Sequence, residues 1–489
     1  MSSPLRLADR LGPWPQARVV VAGCGQAGFA AADALLGLGA QVLVVDQSQS
    51  DDVTDRANLL SVLGASVELG PSAGKHLGEA DLVIASPGWH PDAPLFRLAE
   101  AAGTPIWGDV ELAWRLMHPD RVIDWIGVTG TNGKTTTTLM LDAMLRADGH
   151  TSAAAGNIGW PIIEALHDPV GYDVLAVELS SFELHWMSSV TLHSAALLNV
   201  HEDHLEWYAY ADDPMGAYTA DKGRVFRGVT NTCVYNVAEP ITCSLVEQAE
   251  VTEGARAVGF TSGIPEISMI GVVDGMIVDR AFTHRRADSA LPLAQVSDVH
   301  PLAPHTLSDA LAAAALARSY GVKPTAVAAG LKGLTPAGHR IETVAVSGGV
   351  TWVDDSKATN PHAADASLQA FDSVVWIAGG QTKGTHFDDL VAAHAKRLRG
   401  VVVIGVDRAD VMAALSRQAP DVPVVELKAS QRGVINEAVV AAASMAQPGD
   451  TVLLAPGAAS RDIWTGYDQR GDDFAAAVKL TMGGSDERA

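Results

Sequence analysis

The stretch Val122-Ile123-Asp124-Trp125-Ile126-Gly127-Val128-Thr129-Gly130-Thr131-Asn132-Gly133-Lys134-Thr135-Thr136 decides the fold. Its first seven residues form a short, largely apolar run of the kind that makes a buried strand, and the residues from Thr136 to Gly149 read as a helix. Between the two lies a turn of glycines and threonines with one lysine. Such a turn lets backbone N–H groups point inward, and the helix N-terminus adds the positive end of its dipole, so the whole cradles phosphate. Lys134 is placed to reach the β- and γ-phosphates and the Thr135 hydroxyl to hold Mg2+. The strict phosphate-loop pattern has glycine where Val128 stands, so this is a variant.

Upstream, Arg18–Ala22 reads as a buried strand, followed by the turn Gly23-Cys24-Gly25-Gln26-Ala27-Gly28, a helix through Leu38 closed by Gly39, and a strand Gln41–Val45 ending at Asp46. Gly-x-Gly-x-x-Gly between strand and helix, with an acidic residue beyond the next strand, fits the dinucleotide fingerprint and marks a pyrophosphate site without saying which nucleotide. Strand-like runs follow at Ser66–Leu69 and Asp81–Ala85, and this first region ends near His118-Pro119-Asp120.

Downstream, strands are expected at Asp173–Glu178 and Ala195–Val200. Glu178 leaves the carboxyl end of its strand beside the phosphate turn, where a magnesium ligand belongs. Asn199-Val200-His201-Glu202-Asp203-His204 supplies further candidates for a ligand or for positioning phosphate; zinc is the competing reading, but no sulfur or helical partner set accompanies the two histidines, and a solvated loop is as fair for His201. Gly271–Val278, two β-like segments about Asp274-Gly275, signals a hairpin and a small subsidiary sheet. An Ala-rich helix at Ser308–Tyr320 leads to a linker at Gly333–Gly338. Beyond it, strands at Val350–Val353, Val374–Ala378, Val401–Gly405 and Thr451–Ala455 alternate with helices. Three loops with polar groups, Asp355–Asn360, Gly379–Lys383 and Pro456–Ser460, follow strands there, and open α/β sheets bind ligands at the carboxyl ends of their strands.

The chain has 489 residues, 48% of them hydrophobic and 19% charged, which suits about three α/β domains at roughly 150 residues each and excludes disorder, collagen and coiled coil. Lys and Arg number 34 against 57 Asp and Glu, and 34 − 57 gives −23. That surface repels nucleic acid and anionic membrane, so neither is an expected partner, and an anionic ligand must be gripped locally. No apolar window is long enough to span a membrane, and Arg6, Asp9 and Arg10 interrupt any leader, so a cytoplasmic protein is expected. Cys24, Cys233 and Cys243 show no Cys-x-x-Cys spacing and support neither a disulfide framework nor a thiolate zinc site.

Gly130–Thr136, Glu178-Leu179-Ser180-Ser181-Phe182, Asn199–His204 and Gly338-His339-Arg340-Ile341-Glu342 together resemble the segments shared by the Mur ligases of peptidoglycan synthesis, and the resemblance spans nearly the whole chain. Asp355-Ser356-Lys357-Ala358-Thr359-Asn360 looks like the D-glutamate-adding branch rather than those adding L-alanine or diaminopimelate. The resemblance implies a Rossmann-like domain for the UDP substrate over 1–118, a central phosphate-loop ATPase-type α/β domain with the small extra sheet over 119–336, and a Rossmann-like amino-acid domain over 337–489. It implies an ATP-dependent ligase that joins D-glutamate to UDP-N-acetylmuramoyl-L-alanine through an acyl phosphate and a tetrahedral intermediate, acting as a monomer.

By the same resemblance, Gly130, Thr131, Asn132, Gly133, Lys134, Thr135 and Thr136 bind ATP with Asp309, Arg340 and Asp355. Thr135 and Glu178 hold one Mg2+, and His204 with a carbamylated Lys222 holds a second, so Lys134, His204 and Lys222 are the expected catalytic residues. Gly25, Gln26, Ala27, Asp46, Ser86 and Asn157 face the UDP substrate, while Lys357, Thr359, Lys383, Ser460 and Tyr467 grip D-glutamate. Assigning Lys134 and Arg340 to one ATP implies closure of the third domain across Gly333–Gly338. Thr306 and Asp309 stand where the family usually has asparagines, Arg461 and Tyr467 replace a more apolar pair, and no arginine closely follows Asp46. Two other classes compete: an NAD(P)-dependent oxidoreductase built on Gly23–Asp46, and an ATP-driven switch without a chemical product.

Overall fold

Runs rich in valine, isoleucine and alanine, four to six residues long and closed by glycine or polar turns, make the centre strands of three sheets. The structure, a computed structural model, describes residues 9–118, 121–334, 338–428 and 431–483. The first sheet holds β1 (Arg18–Ala22), β2 (Gln41–Asp46), β3 (Ser66–Leu69), β4 (Leu82–Ala85) and β5 (Ile106–Gly108) in the order β3-β2-β1-β4-β5, every pair parallel. The order reverses at β1, so its carboxyl end opens on a crevice.

The second sheet contains β6 (Asp124–Thr129), β7 (Ser152–Gly156), β8 (Val174–Glu178), β9 (Ser194–Leu197), β10 (Thr232–Asn236), β11 (Arg256–Phe260), β12 (Met269–Val273), β13 (Met276–Asp279) and β14 (Leu291–Gln295). Their order is β14-β13-β12-β11-β10-β9-β6-β8-β7. The hairpin expected about Asp274-Gly275 is present as antiparallel β12 and β13, with both turn residues left-handed at φ 49° and 76°. It does not form a separate small sheet. β11 pairs in parallel with both β10 and β12, so the hairpin and β14 extend the central sheet at its edge. Under this sheet lies the helix Pro304–Ser319, whose residues Ala310 to Ala317 are all fully buried; six alanines among those eight let the helix sit close against the strands.

The third sheet holds β15 (Glu342–Ser347), β16 (Val350–Asp354), β17 (Val374–Ala378), β18 (Leu398–Val403), β19 (Val424–Glu426) and β20 (Thr451–Leu454), ordered β15-β16-β20-β17-β18-β19. All pairs are parallel except β15 with β16. Chain contacts form two compact units. One spans 1–200, 207–299 and 307–334 and carries the first two sheets; the other spans 201–206, 300–306 and 335–489 and carries the third. The expected domain breaks fall at Pro119-Asp120 and within Thr335–Ala337, outside the described residues. No described helix is long and apolar enough to cross a membrane.

Within the first unit a buried carboxylate helps join the first and central α/β modules. Glu111, on the helix Asp109–Leu116, is fully buried. It accepts from the N–H and Oγ of Ser188 at 2.9 Å each, from the N–H and Oγ of Ser189 at 2.9 and 2.6 Å, and from Arg115 Nε at 2.7 Å. Burial pushes this carboxyl up, but the hydrogen bonds from Ser189, Ser188 and Arg115 outweigh it and hold the group below its usual range. The resulting stability is present above the unfolded value of about 4.3 and is lost as pH falls through the lowered native value. Glu111→Gln is expected to lower unfolding stability at pH 7 by about 1–3 kcal/mol in urea titrations, since bonds to an ion are replaced by weaker ones. The gap between wild type and variant should narrow as the titrations are repeated below about pH 4.

Candidate functional site

β6 ends at Thr129 and the helix Lys134–Ala147 follows with Gly133 as its N-cap at φ 83°. A Cβ at Gly133 would lie 2.1 Å from Asp309 Oδ1, so both the backbone angle and the neighbour require glycine. Asn199, beyond β9, clamps the turn: its carbonyl accepts the Thr131 N–H at 3.1 Å, its Oδ1 accepts the Asn132 N–H at 2.9 Å, and its Nδ2 donates to Asn132 O at 3.2 Å. Thr131 Oγ1 lies 2.8 Å from the Tyr218 hydroxyl.

Two ammonium groups meet at this turn. Lys134 Nζ donates to Gly130 O and Thr131 O, each at 2.9 Å. Lys222, only 1% exposed, donates to Gly130 O at 2.8 Å and lies 4.8 Å from the centre of the Tyr218 ring. Glu178 ends β8, and β6 pairs with β8 in parallel so that Val128 stands opposite it. Its Oε1 accepts from Asn157 Nδ2 at 2.9 Å, whereas its buried Oε2 has no protein partner. An unpartnered carboxylate oxygen beside a phosphate turn fits a hard cation, and Glu178 with the half-buried Thr135 would hold it. Among the described residues no group of three or more His, Cys, Asp or Glu side chains is gathered to hold a metal, so a cation here would take its remaining oxygens from substrate and water.

The glycine turn after β1 is built differently. A Cβ at Gly28 would stand 2.0 Å from Gly23 O, which is why the helix Gln26–Gly37 can start so close to the strand. Asp46 braces the turn, its Oδ2 accepting the Cys24 N–H at 2.6 Å and its Oδ1 the Ser48 N–H at 2.8 Å. Gly25 is the N-cap, no side chain caps the helix and its first turn has no acid; Gln26 is exposed and Ala27 half-buried. Ser86 Oγ is buried without a partner, 2.7 Å from the position a Cβ would take at Gly23. These residues come together at the turn; Asn157 lies in the central module, where its Nδ2 donates to Glu178 Oε1.

Arg340, Asp355, Lys357, Thr359, Lys383, Ser460, Tyr467 and His204 belong to the second unit. Asp355 accepts from Ser367 Oγ and from the Ile341 N–H; burial pushes its carboxyl up to about 6, against the pull of those donors and of Arg340. Burial, aided by the Arg340 charge, pushes His305 down to about 4, so this ring is neutral at pH 7. Lys357 Nζ lies 4.1 Å from the Tyr467 ring centre, and Thr359 is half-buried. Lys383 Nζ stands 3.3 Å from His204 Nδ1 and 3.8 Å from Asp203 Oδ1. A two-way backbone bridge between Gln381 and Ala459, at 2.8 and 2.9 Å, ties the Lys383 loop to the loop of the buried Ser460.

Sequence reading missed Arg470. It is fully buried and donates Nε to Ser356 Oγ at 2.9 Å, Nη2 to Ser356 O at 2.7 Å and Nη1 to Ala458 O at 3.1 Å, so it spans the loops that follow β16 and β20. Burial pushes its guanidinium down to about 10, which leaves it charged at neutral pH. Of the six described non-glycine residues in the left-handed region, four are His204, His339, Ile341 and Lys383, at φ 55°, 62°, 48° and 54°. Such conformations cost about 1–3 kcal/mol each and collect at functional sites; here two fall on expected site residues and two flank Arg340.

Family models match three successive segments: the MurD-like Mur ligase N-terminal domain over 17–108, the Mur ligase middle domain over 128–272 and the Mur ligase glutamate ligase domain over 339–458. The chain belongs to the Mur ligase family. Within that family it falls among the UDP-N-acetylmuramoylalanine–D-glutamate ligases, being 53% identical to that enzyme of Streptomyces avermitilis over 95% of this chain and 98% of that one. It is 50% identical to the Thermobifida fusca enzyme, over 95% and 99%, and 44% identical to that of Mycolicibacterium smegmatis, over 96% and 98%. Among solved structures, MurF from Acinetobacter baumannii matches with a TM-score of 0.61 at 17% identity over 97% of this chain and all of that one. MurC from Thermotoga maritima matches at 0.56 and 18% over 95% of this chain and all of that one; both likenesses are of fold.

Replacing Arg470 by methionine, close in length, removes the donors to Ser356 O and Ala458 O and leaves two buried carbonyls unsatisfied. Urea unfolding is expected to show a loss of about 2–4 kcal/mol, with Arg470→Lys recovering part of it through one restored bond.

Proposed function

We infer that this protein is an ATP-dependent ligase that adds D-glutamate to UDP-N-acetylmuramoyl-L-alanine in peptidoglycan precursor synthesis. The observation that carries this reading is the near full-length identity of 53% to a D-glutamate ligase, on a chain whose nucleotide turn gathers Lys134, Lys222 and an unpartnered Glu178 oxygen. The L-alanyl carboxylate attacks the γ-phosphorus, forming an acyl phosphate and releasing ADP. The D-glutamate amine then attacks the acyl carbon, and the tetrahedral intermediate expels phosphate as the amine gives up its proton. The barrier is lowered by positioning and by neutralising charge on the transferred phosphoryl group.

In this assignment residues 1–118 receive the UDP substrate, 119–336 ATP, and 337–489 the amino acid. Lys134 is the phosphate cation, and Gly130–Thr136 supplies the N–H cradle, with Asp309, Arg340 and Asp355 as further ATP contacts. Thr135 and Glu178 would hold Mg2+, which when bound would add positive charge at the phosphates. A carbamate on Lys222 would supply an anionic oxygen to hold a second Mg2+, together with His204. Support for that assignment is the burial of Lys222 against Gly130 O, within the same turn as Lys134. Gly25, Gln26, Ala27, Asp46, Ser86 and Asn157 face the UDP substrate. Thr359 and Lys383 grip one carboxylate of D-glutamate, and Ser460, Lys357 and Tyr467 the other end; Arg470 keeps the two grips at a fixed spacing.

A substrate-omission assay tests the reading. ADP and phosphate should be released only when UDP-N-acetylmuramoyl-L-alanine and D-glutamate are both present; hydrolysis with neither points to a switch, and an absorbance change on NAD(P) binding and turnover to an oxidoreductase. Lys222→Arg should be as damaging to kcat as Lys222→Ala, because arginine keeps the charge but cannot become a carbamate. Activity retained by the arginine variant would remove the carbamate.

A further inference from the structure

The substrate assigned to the first sheet carries a diphosphate, while the protein's net charge is −23 and no arginine closely follows Asp46 in sequence. A counter-charge must therefore come from elsewhere. The helix Asp51–Leu63 brings one. Arg56, half-buried, reaches back across 32 positions and donates Nε to Cys24 O at 2.8 Å, inside the glycine turn. This one bond fixes the guanidinium plane. Among the described residues no acceptor is within hydrogen-bonding distance of either Nη group, and no carboxylate is within ion-pair distance, although Asp52 sits one helical turn earlier.

Arginine held through Nε presents its Nη groups as a planar fork, the geometry that pairs with phosphate oxygens. The same turn offers the uncapped, acid-free N-terminus of the helix Gln26–Gly37 and the buried, unpartnered Ser86 hydroxyl. A neutral turn-bracing role would be complete with the Cys24 bond; it leaves the remaining donors of a charged group unused. We propose that Arg56 is the cation that holds the diphosphate of the UDP-bearing substrate at the glycine turn. The proposal rests on the reading of the first sheet as the UDP site.

The test is calorimetric titration of UDP and of uridine into wild type, Arg56→Gln and Arg56→Lys, with steady-state kinetics on the same proteins. Arg56→Gln should weaken UDP binding by at least about tenfold, as the loss of a charge-assisted pair does, and leave uridine binding unchanged. Arg56→Lys should recover part of the loss. The KM for UDP-N-acetylmuramoyl-L-alanine should rise by a similar factor while kcat and the KM values for ATP and D-glutamate hold. Added NaCl should weaken UDP binding to wild type more steeply than to Arg56→Gln, a difference that mere loosening of the turn does not produce. Equal UDP affinity in wild type and Arg56→Gln overturns the proposal, as does a loss for uridine as large as for UDP. Wild type that fails to bind UDP at all instead overturns the reading of the first sheet.

Discussion

The carbonyl of Gly130 receives hydrogen bonds from two lysines, Lys134 and Lys222, and much of the central module is arranged so that this can happen. Two cations at one backbone oxygen repel each other, so they persist only where the surrounding chain is stiff and where negative charge is at hand. The stiffness comes from Asn199, which pins the backbone of Thr131 and Asn132 within the turn, and from Tyr218, which contacts Thr131 and lies beside Lys222. Glu178, at the end of the neighbouring β8, brings a carboxylate to the same end of the sheet. Lys134, Asn199 and Glu178 arrive at the ends of neighbouring parallel strands: β6 lies between β8 and β9, so the carboxyl ends of the three open on the same side, while Tyr218 and Lys222 come from the helix Pro214–Gly223.

The two glycine turns of the first unit share a backbone plan and differ in electrostatics. After β1 the brace is a carboxylate, Asp46, and the cation bonded to the turn, Arg56, comes from the next helix. After β6 the brace is a neutral amide, Asn199, and the cations come from the turn's own helix and from the buried Lys222. Strand, tight turn and helix thus set where an anion sits, while side chains contributed by other elements set how much charge it meets.

What could be read in the sequence followed the range of the interaction. Arg18–Ala22 and Val374–Ala378 are legible to the residue because β-branched runs between turn residues form strands almost wherever they occur, and Ser66–Leu69 because apolar and polar residues alternate between two glycine turns. β7, Ser152-Ala153-Ala154-Ala155-Gly156, is not, because three alanines carry no strand signal and only its pairing with β8 holds it extended. The Asp274-Gly275 hairpin is legible as a hairpin, yet its place on the central sheet depends on parallel pairing with β11, which no local pattern encodes. The phosphate turn and Glu178 announced themselves through local spacing. Tyr218 meets Thr131 across 87 positions and Arg470 meets Ser356 across 114, and no local pattern marks a partner at that distance.

Glu111 also bears on how such proteins can be recombined. Its helix belongs to the first module, yet four of the five bonds to its carboxylate come from two serines of the central one. A chimera that joined this leading segment to the remainder of another ligase, cut anywhere between Leu116 and Ser188, would carry the acid across without its serine donors and would bury a charge facing the wrong groups. The functional seam between interchangeable parts is thus a cluster of hydroxyls and amides far along the chain from the point where the modules join, and graft designs succeed or fail on whether both halves of that cluster travel together.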